Sequence, residues 1–274
     1  MRDKFQEDSM NILIITAHPD PTSLTHSLSS VATDQLKRDG HKVRVSDLYA
    51  INWKSAVDHD DFPALPASER LKVGPASKQA YSTGSLTEDV VQEQEKLLWA
   101  DAVIIAFPLW WFSMPAILKG WVERTLSYGF GYGRGEHTDT HWGDRYGEGL
   151  MAGKRAMLCV MIGGWEPHYG PRGVNGPVDD ILFPMNHGVL YYPGFTVLPS
   201  FLVYRSDRLD EAGYNIAAER IRDRMKNLFT AEPIPYRMQN GGDYLIPSMQ
   251  LRPELNPGIT GFAAHLKPTD EETS

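Results

Sequence analysis

The chain has one cysteine in 274 residues, Cys159, so it forms no internal disulfide. Its neighbours are apolar, and it reads as a buried structural thiol rather than a nucleophile. A basic excess is also lacking: 27 Lys and Arg stand against 35 Asp and Glu, a formal charge of -8. That argues against nucleic acid as a partner and against an anionic membrane surface. The acidity is spread along the chain and reads as a solubility device. No apolar run reaches the ~18–20 residues of a membrane span. Residues 1–9 are polar and lack the apolar stretch of a signal peptide, so cytoplasm is the expected compartment and Met10 is a candidate natural start. Several signatures are missing as well. No GxGxxG follows the first apolar strand, which excludes the usual dinucleotide fingerprint. No GxxxxGK[ST] and no GxSxG occur, which disfavours an NTPase and an α/β-hydrolase. No CxxC or HxxxH pair is expected to supply zinc ligands, and no metal site is expected.

What is present is an ordinary globular composition, 42% apolar and 23% charged. Asn11–Ala17 is a continuous apolar run, as in a parallel strand covered on both faces. It breaks at His18-Pro19-Asp20-Pro21, and Thr22 or Ser23 can cap a helix whose inner face is Leu24, Leu28, Val31, Ala32 and Leu36. Gly40 stops that helix, and 41–48 is a second strand, which completes a βαβ unit. Residues 50–86 read as a long irregular loop. Thr87 can cap a helix over Glu88–Leu98 with carboxylates in its first turn, and Ala102–Phe107 is the third strand. Pro115 opens the next helix, and 128–153 is a glycine-rich loop. Ala156–Ile162 is the fourth strand, Val178–Val189 a helix disturbed at Pro184, Phe195–Tyr204 the fifth strand, and Ala212–Phe229 the last helix with Ile216 among its inward residues. Strands alternating with helices predict a flavodoxin-like, doubly wound parallel sheet of five strands in the order 2-1-3-4-5. The domain is expected to span 10–230. A proline-rich extension over 231–274 is expected to pack on it or on a partner subunit.

The most informative stretch is Phe107-Pro108-Leu109-Trp110-Trp111-Phe112, at the carboxyl end of the third strand. In open α/β sheets ligands bind at that rim. Two indoles and a phenyl ring each carry ~150–250 Å² of surface. They belong either to the core or to the wall of a site for a flat ligand. In the expected strand order, the loops after strands 1, 3 and 4 share the rim. The first opens a helix N-terminus, suited to an anion. The third brings aromatic walls. The fourth, Gly163-Gly164, lets backbone approach a ligand. A phosphate at one end and a flat ring system at the other describe a flavin nucleotide.

The residues then carry a likeness. Ala17-His18 with Thr22-Ser23-Leu24, Asp47-Leu48-Tyr49-Ala50, Glu93-Gln94-Glu95-Lys96-Leu97, Phe107-Pro108-Leu109 with Trp111-Phe112, Pro115-Ala116-Ile117-Leu118-Lys119-Gly120-Trp121, and Gly163-Gly164 with Tyr169 resemble the flavodoxin-like NAD(P)H:quinone oxidoreductases, the DT-diaphorase family. The likeness covers about residues 11–230. It implies a homodimer that binds FAD, with FMN the lesser expectation. NAD(P)H would reduce the flavin by hydride transfer to N5 and leave, and a quinone would take its place, a ping-pong cycle. By the same resemblance His18, Thr22, Ser23, Leu24 and Thr25 would hold the diphosphate and ribityl chain. Pro108, Leu109, Trp110, Trp111 and Phe112 would line the isoalloxazine, and Met161, Ile162, Gly163 and Gly164 would meet its other edge. Tyr169 would hydrogen-bond the flavin, with Asn175 the second catalytic position. Trp111, Phe112, Tyr132, Arg134 and Tyr192 would form the substrate site, Tyr132 and Tyr192 reaching it from the other subunit.

Three positions depart from the family pattern. Asn175 stands where the best-known members have a histidine, and an amide carries no proton near neutral pH. His168 or water is the expected substitute. Trp110 replaces a glutamine, and Arg134 replaces a second pocket tyrosine, where it would favour an anionic acceptor or a donor phosphate, or stay a solvated loop residue. The loop over 135–149 is longer than usual and either shapes the mouth of the site or is a surface insertion. Two other readings share the fold: an FMN-dependent azo- or nitroreductase, and a flavin-binding ancillary subunit of a potassium-efflux system. A flavodoxin-type electron carrier fits the long tail and roofed pocket poorly.

Overall fold

A computed structural model describes residues 9–268; the reading of the first residues as an extension ahead of Met10 lies largely outside them. The strands follow the apolar runs: β1 Asn11–Thr16, β2 Lys42–Asp47, β3 Ala102–Pro108 and β4 Arg155–Ile162. They form one parallel sheet in the order β2-β1-β3-β4-β5, as expected. The fifth strand is interrupted. β5 (Thr196–Val197) and β6 (Phe201–Tyr204) both pair with β4, at its start and at its end. Pro199, between them, has no N–H to give the ladder.

Side chains alternate between the two faces of this sheet. Ile12, Ile14, Ile104, Met157, Cys159 and Met161 pack against α1 (Leu24–Arg38) and α6 (Glu211–Lys226). Leu13, Ile15, Val103, Ile105, Leu158 and Val160 face the other layer, with α3 (Glu88–Trp99) and α4 (Ala116–Thr125). Cys159 is buried among them, and burial pushes its thiol up to about 12, so it is no thiolate at neutral pH.

Several boundaries differ from the sequence expectation. Residues 50–86 are not all loop: α2 spans Val73–Thr83, and its inner edge is small, Ala76, Ser77 and Ala80. Thr87 stands at the start of α3, but its side chain makes no cap; its Oγ1 instead accepts from Arg124 Nη2 at 3.4 Å. Ile216 points outward, 63% exposed, because Ala217, Ala218, Ile221 and Met225 take the inner face of α6. After α5 (Val178–Met185), which contains Pro184, the helix widens into a π turn over Asn186–Tyr191.

The chain beyond α6 returns along the sheet edge, where Ile234 N–H donates to Val197 O at 2.8 Å. It then forms a short hairpin, β7 (Tyr244–Leu245) with β8 (Gln250–Leu251), and a turn over Gly261–His265. Tyr236 is part of the core, and Gln239 and Asn240 hold the glycine-rich loop: Gln239 Nε2 donates to Trp142 O at 2.7 Å and Trp142 N–H to Asn240 Oδ1 at 3.0 Å. Among the described residues no helix is long and apolar enough to cross a membrane.

Candidate active site

The register puts the ends of four strands side by side. Thr16 is level with Ala106, Pro108 with Met161, and Ile162 with Tyr204. Backbone bonds continue past the strands and stitch the loops together. Ala17 N–H donates to Ala106 O at 3.0 Å, Leu109 N–H to Met161 O at 2.8 Å, and Arg205 N–H to Gly164 O at 3.0 Å. The rim is thus a fixed platform, not a set of independent loops.

At its first corner, Asp20 organises the start of α1. Its Oδ1 accepts from the N–H (2.8 Å) and the hydroxyl (2.7 Å) of Thr22. Those two donors hold its carboxyl below the usual range. His18 Nδ1 accepts from Asp20 N–H at 3.0 Å, and Ser23 Oγ caps the helix through His26 N–H at 3.4 Å. That leaves first-turn amides, those of Leu24 and Thr25, at the positive end of the helix. Thr25 itself is buried, so of the five residues expected here it offers backbone rather than hydroxyl. The His18 ring lies 5.8 Å from that of Trp110, which joins this corner to the aromatic turn.

The aromatic turn is not core. Trp110 is 42% exposed, Phe112 50% and Trp111 96%. Trp110 and Ser113 exchange two backbone hydrogen bonds, at 3.1 and 3.0 Å, which makes 110–113 a tight reverse turn. Both central residues are left-handed, Trp111 at φ +51° and Phe112 at φ +59°. A turn of this hand prefers Asn-Gly. Two bulky aromatics there carry strain of order 1–3 kcal/mol each, and such strain is found where a ligand needs it. Pro108 and Leu109 sit beneath, one ending β3 and the other bonded to Met161.

Across the rim, Gly163 and Gly164 end β4. A Cβ on Gly164 would stand 2.8 Å from Tyr169 Cε2 and 3.0 Å from its hydroxyl, whereas one on Gly163 would meet nothing closer than 3.5 Å. Gly164 is therefore required by Tyr169, whose ring edge lies against it, whereas Gly163 would accept a Cβ in ordinary contact with Asp207. Tyr169 closes the short turn Glu166–Tyr169 and packs on Tyr204, ring centroids 5.8 Å apart. Asn175 shares this loop, its N–H donating to His168 O at 3.0 Å, and His168 is exposed beside Tyr169.

The remaining expected residues lie apart from the rim. Tyr132 and Tyr192 do meet, in a groove of about 530 Å³ with Val73, Val122 and Val189, and none of the rim residues lines it. Burial raises the Tyr132 phenol. Arg134 is not with them. It is exposed, donates to Gly129 O at 3.0 Å, and faces a different depression beside Lys78 and Asp144. In the same loop His137 and His141 stand four residues apart, a ligand spacing the sequence does contain, but their rings separate. His137 packs edge-on against Trp142 at 4.9 Å, and His141 Nε2 pairs with Asp144 Oδ1 at 2.9 Å.

One part of the rim escaped the sequence reading. The loop after β6 brings Arg205 over the Trp165 ring at 4.5 Å, and Arg205 is left-handed at φ +54°. Asp207 faces Gly163 from the same loop. The usable signal was positional, since every strand of a doubly wound sheet contributes its following loop to the rim.

Comparison with known proteins identifies the family and the fold. A family model described as flavodoxin-like fold matches residues 10–225. The ribosyldihydronicotinamide dehydrogenase-like protein traD of Penicillium crustosum is 52% identical over 266 residues, 97% of this chain and 98% of its own. The human ribosyldihydronicotinamide dehydrogenase [quinone] is 39% identical over 225 residues, 82% of this chain and 94% of its own. A solved structure from Klebsiella pneumoniae, to which quinone reductase activity is ascribed, is 56% identical, with a TM-score of 0.93 over 94% of this chain and 100% of that one. The chain belongs to the flavodoxin-like NAD(P)H:quinone oxidoreductases, a family of oxidoreductase enzymes.

Proposed function

We propose that the chain is an FAD-dependent reductase that passes electrons in pairs from NAD(P)H to a quinone, donor and acceptor using one slot in turn. The observation that carries this is the exposed, left-handed Trp111-Phe112 pair at the rim. Bound flavin would supply hydride acceptance and donation at N5, chemistry that no side chain has. The residues present suit that group. Leu24 and Thr25 amides would take the diphosphate at the start of α1. The aromatic turn would support one face of a planar ring, and exposed Gly163 would let backbone approach its edge. Tyr169 would hold its hydroxyl where negative charge develops, the role of an oxyanion donor.

Asn175 can donate a hydrogen bond but cannot carry a proton near neutral pH. Exposed His168 would therefore serve as the proton carrier, with water as the alternative. The Tyr132–Tyr192 groove, largely apolar and lined by none of its own rim residues, would lie against a second copy and close that copy's slot, making the active unit a homodimer.

The purified protein should be yellow and release FAD on denaturation. Anaerobic NADPH should bleach it, and menadione should restore the colour stoichiometrically. Release of FMN would move the reading to an azo- or nitroreductase, and flavin without turnover on any acceptor would move it to an ancillary subunit. Tyr169→Phe should slow flavin reduction by about 10²-fold, the usual loss for one oxyanion donor. Unchanged reduction in both Tyr169→Phe and His168→Ala would remove these two residues from the mechanism.

A further inference from the structure

The glycine-rich loop folds three ligand-type side chains together, although sequence spacing predicts no metal site. One nitrogen or oxygen atom from each of His141, Asp144 and Glu148 lies within 4.8 Å of the other two. All three residues are half-buried. His141 Nε2 and Asp144 Oδ1 are 2.9 Å apart. Neighbouring ligands on one ion stand about that far apart when each bond is about 2.0–2.1 Å.

Each member is held in place. His141 N–H donates to Thr138 Oγ1 at 3.1 Å, and Thr138 N–H donates to His141 O at 2.7 Å. Asp144 N–H donates to Arg134 O at 3.0 Å. A Cβ on Gly135 would stand 2.1 Å from Asp144 Oδ1, so a bare α-carbon there makes room for that carboxylate. Glu148 is oriented from the returning chain. Asn240 Nδ2 donates to Glu148 Oε2 at 2.5 Å and to Gly143 O at 2.9 Å. Outer partners of this kind fix ligand carboxylates in metal sites.

Positive charge is what the cluster lacks. A His–Asp pair is complete with one carboxylate, and here a second is brought beside it. Two carboxylates this close repel, and one imidazole offsets at most one of them. Among the described residues neither Asp144 nor Glu148 pairs with a lysine or arginine. The cations of the neighbourhood are engaged elsewhere. Arg145 Nη2 donates to Trp142 O at 3.3 Å, Arg134 Nη1 donates to Gly129 O, and Lys78 lies over the Tyr128 ring at 5.1 Å.

We propose that His141, Asp144 and Glu148 form a divalent-metal site that clamps the glycine-rich loop to the C-terminal segment. One imidazole nitrogen and two carboxylate oxygens suit zinc, with water completing the shell on the half-exposed side. Magnesium and calcium favour all-oxygen sets and fit less well. The ion takes the position of the Nε2 proton, which moves to Nδ1 on a neutral ring and is released from a charged one. The clamp follows from connectivity. Glu148 is tied to Asn240, and between the ligands Tyr146 N–H donates to Tyr192 O at 3.0 Å. None of the three ligands belongs to the rim, so the site stands or falls apart from the redox reading.

The test uses the full-length, flavin-loaded protein after dialysis against a chelator. Crystals soaked with zinc chloride should give an anomalous peak at the zinc edge between His141 Nε2 and the two carboxylates. Calorimetry should show zinc binding that Asp144→Asn and Glu148→Gln each weaken by roughly tenfold or more, and magnesium should bind far more weakly than zinc. Both variants keep the side-chain shape and its acceptor oxygen, so they remove charge with little effect on folding, and the soak uses the unaltered chain. Zinc should also slow hydrogen exchange at the Trp142 and Asp144 amides. No peak at the cluster, a peak at other histidines alone, magnesium binding as tightly as zinc, or zinc affinity equal in the parent and both variants (an adventitious ion only) would each overturn the assignment.

Discussion

Trp111 and Phe112 hold a backbone conformation that glycine adopts freely and that a side chain adopts at a cost. Nothing in the chain buries Trp111 to offset that cost. The two facts together argue that the offset comes from a ligand, and they make opposite effects testable in one variant. Trp111→Gly should relieve strain and stabilise the flavin-free protein by about 1 kcal/mol. The same change should weaken flavin retention, because a stacking face is gone. Melting temperature with and without added FAD measures both, and a variant that lost stability and kept its flavin would contradict the argument. The contrast with Gly164 is instructive. A sequence reading assigns the glycine pair to ligand approach, yet Gly164 is needed by the chain's own Tyr169, and of the two only Gly163 would take a Cβ without a clash.

At the scale of elements, Pro115–Trp121, one of the segments that carry the family likeness, proves to be scaffold. A Cβ on Gly120 of α4 would stand 1.9 Å from Ser55 O, so the bare α-carbon is what lets the chain after β2 lie on the helix. Trp121, one residue on, donates from Nε1 to Glu93 Oε2 at 2.8 Å, and Glu93 also accepts from Ser46 at 3.1 Å and pairs with Lys96. Arg124, on the same helix, stacks over Trp53 at 4.5 Å and pairs with buried Asp61. Gly120→Ala should therefore cost about 3 kcal/mol or more, as backbone clashes in packed interiors do, and lower the urea midpoint while the spectrum of any folded fraction stays that of the parent. This also explains what could be read in advance. Runs such as Leu13–Ile15 and Val103–Ile105 announce buried parallel strands because both faces are covered. α2 did not announce itself, since Gly74, Pro75 and three serines or threonines leave it an inner edge of small residues. Ile216 was placed inward because periodicity gives a face to within one residue, and Ala217 and Ala218 took it. The Trp165–Arg205 contact joins residues forty apart in sequence, a pairing no local pattern encodes.

For the molecule as a whole, the C-terminal segment acts as a clasp. Tyr236 enters the core, Arg237 N–H donates to His265 O at 3.0 Å, Lys267 N–H donates to Pro235 O at 2.8 Å, and the aromatic stack beneath them includes His187. Burial among these rings, with His265 nearby, pushes the His187 imidazole down to about 4. His265 is lowered too, by burial and then by Arg237. An unfolded chain protonates its histidines near pH 6.5. Between that value and the folded one the unfolded chain binds more protons, so stability rises with pH across the interval. The contribution is complete above about pH 6.5 and is lost as pH falls toward 4. The clasp should thus loosen first in mild acid. Hydrogen exchange should show the Arg237 and Lys267 amides losing protection between pH 7 and 5 while amides of β1 keep theirs. The melting temperature should fall over the same range by about 2–4 °C for each kcal/mol lost. His187→Leu should flatten both trends, because leucine has no proton to take up. A wild-type protein whose clasp amides and core amides lost protection together would mean that the C-terminal segment and the sheet unfold as one cooperative unit.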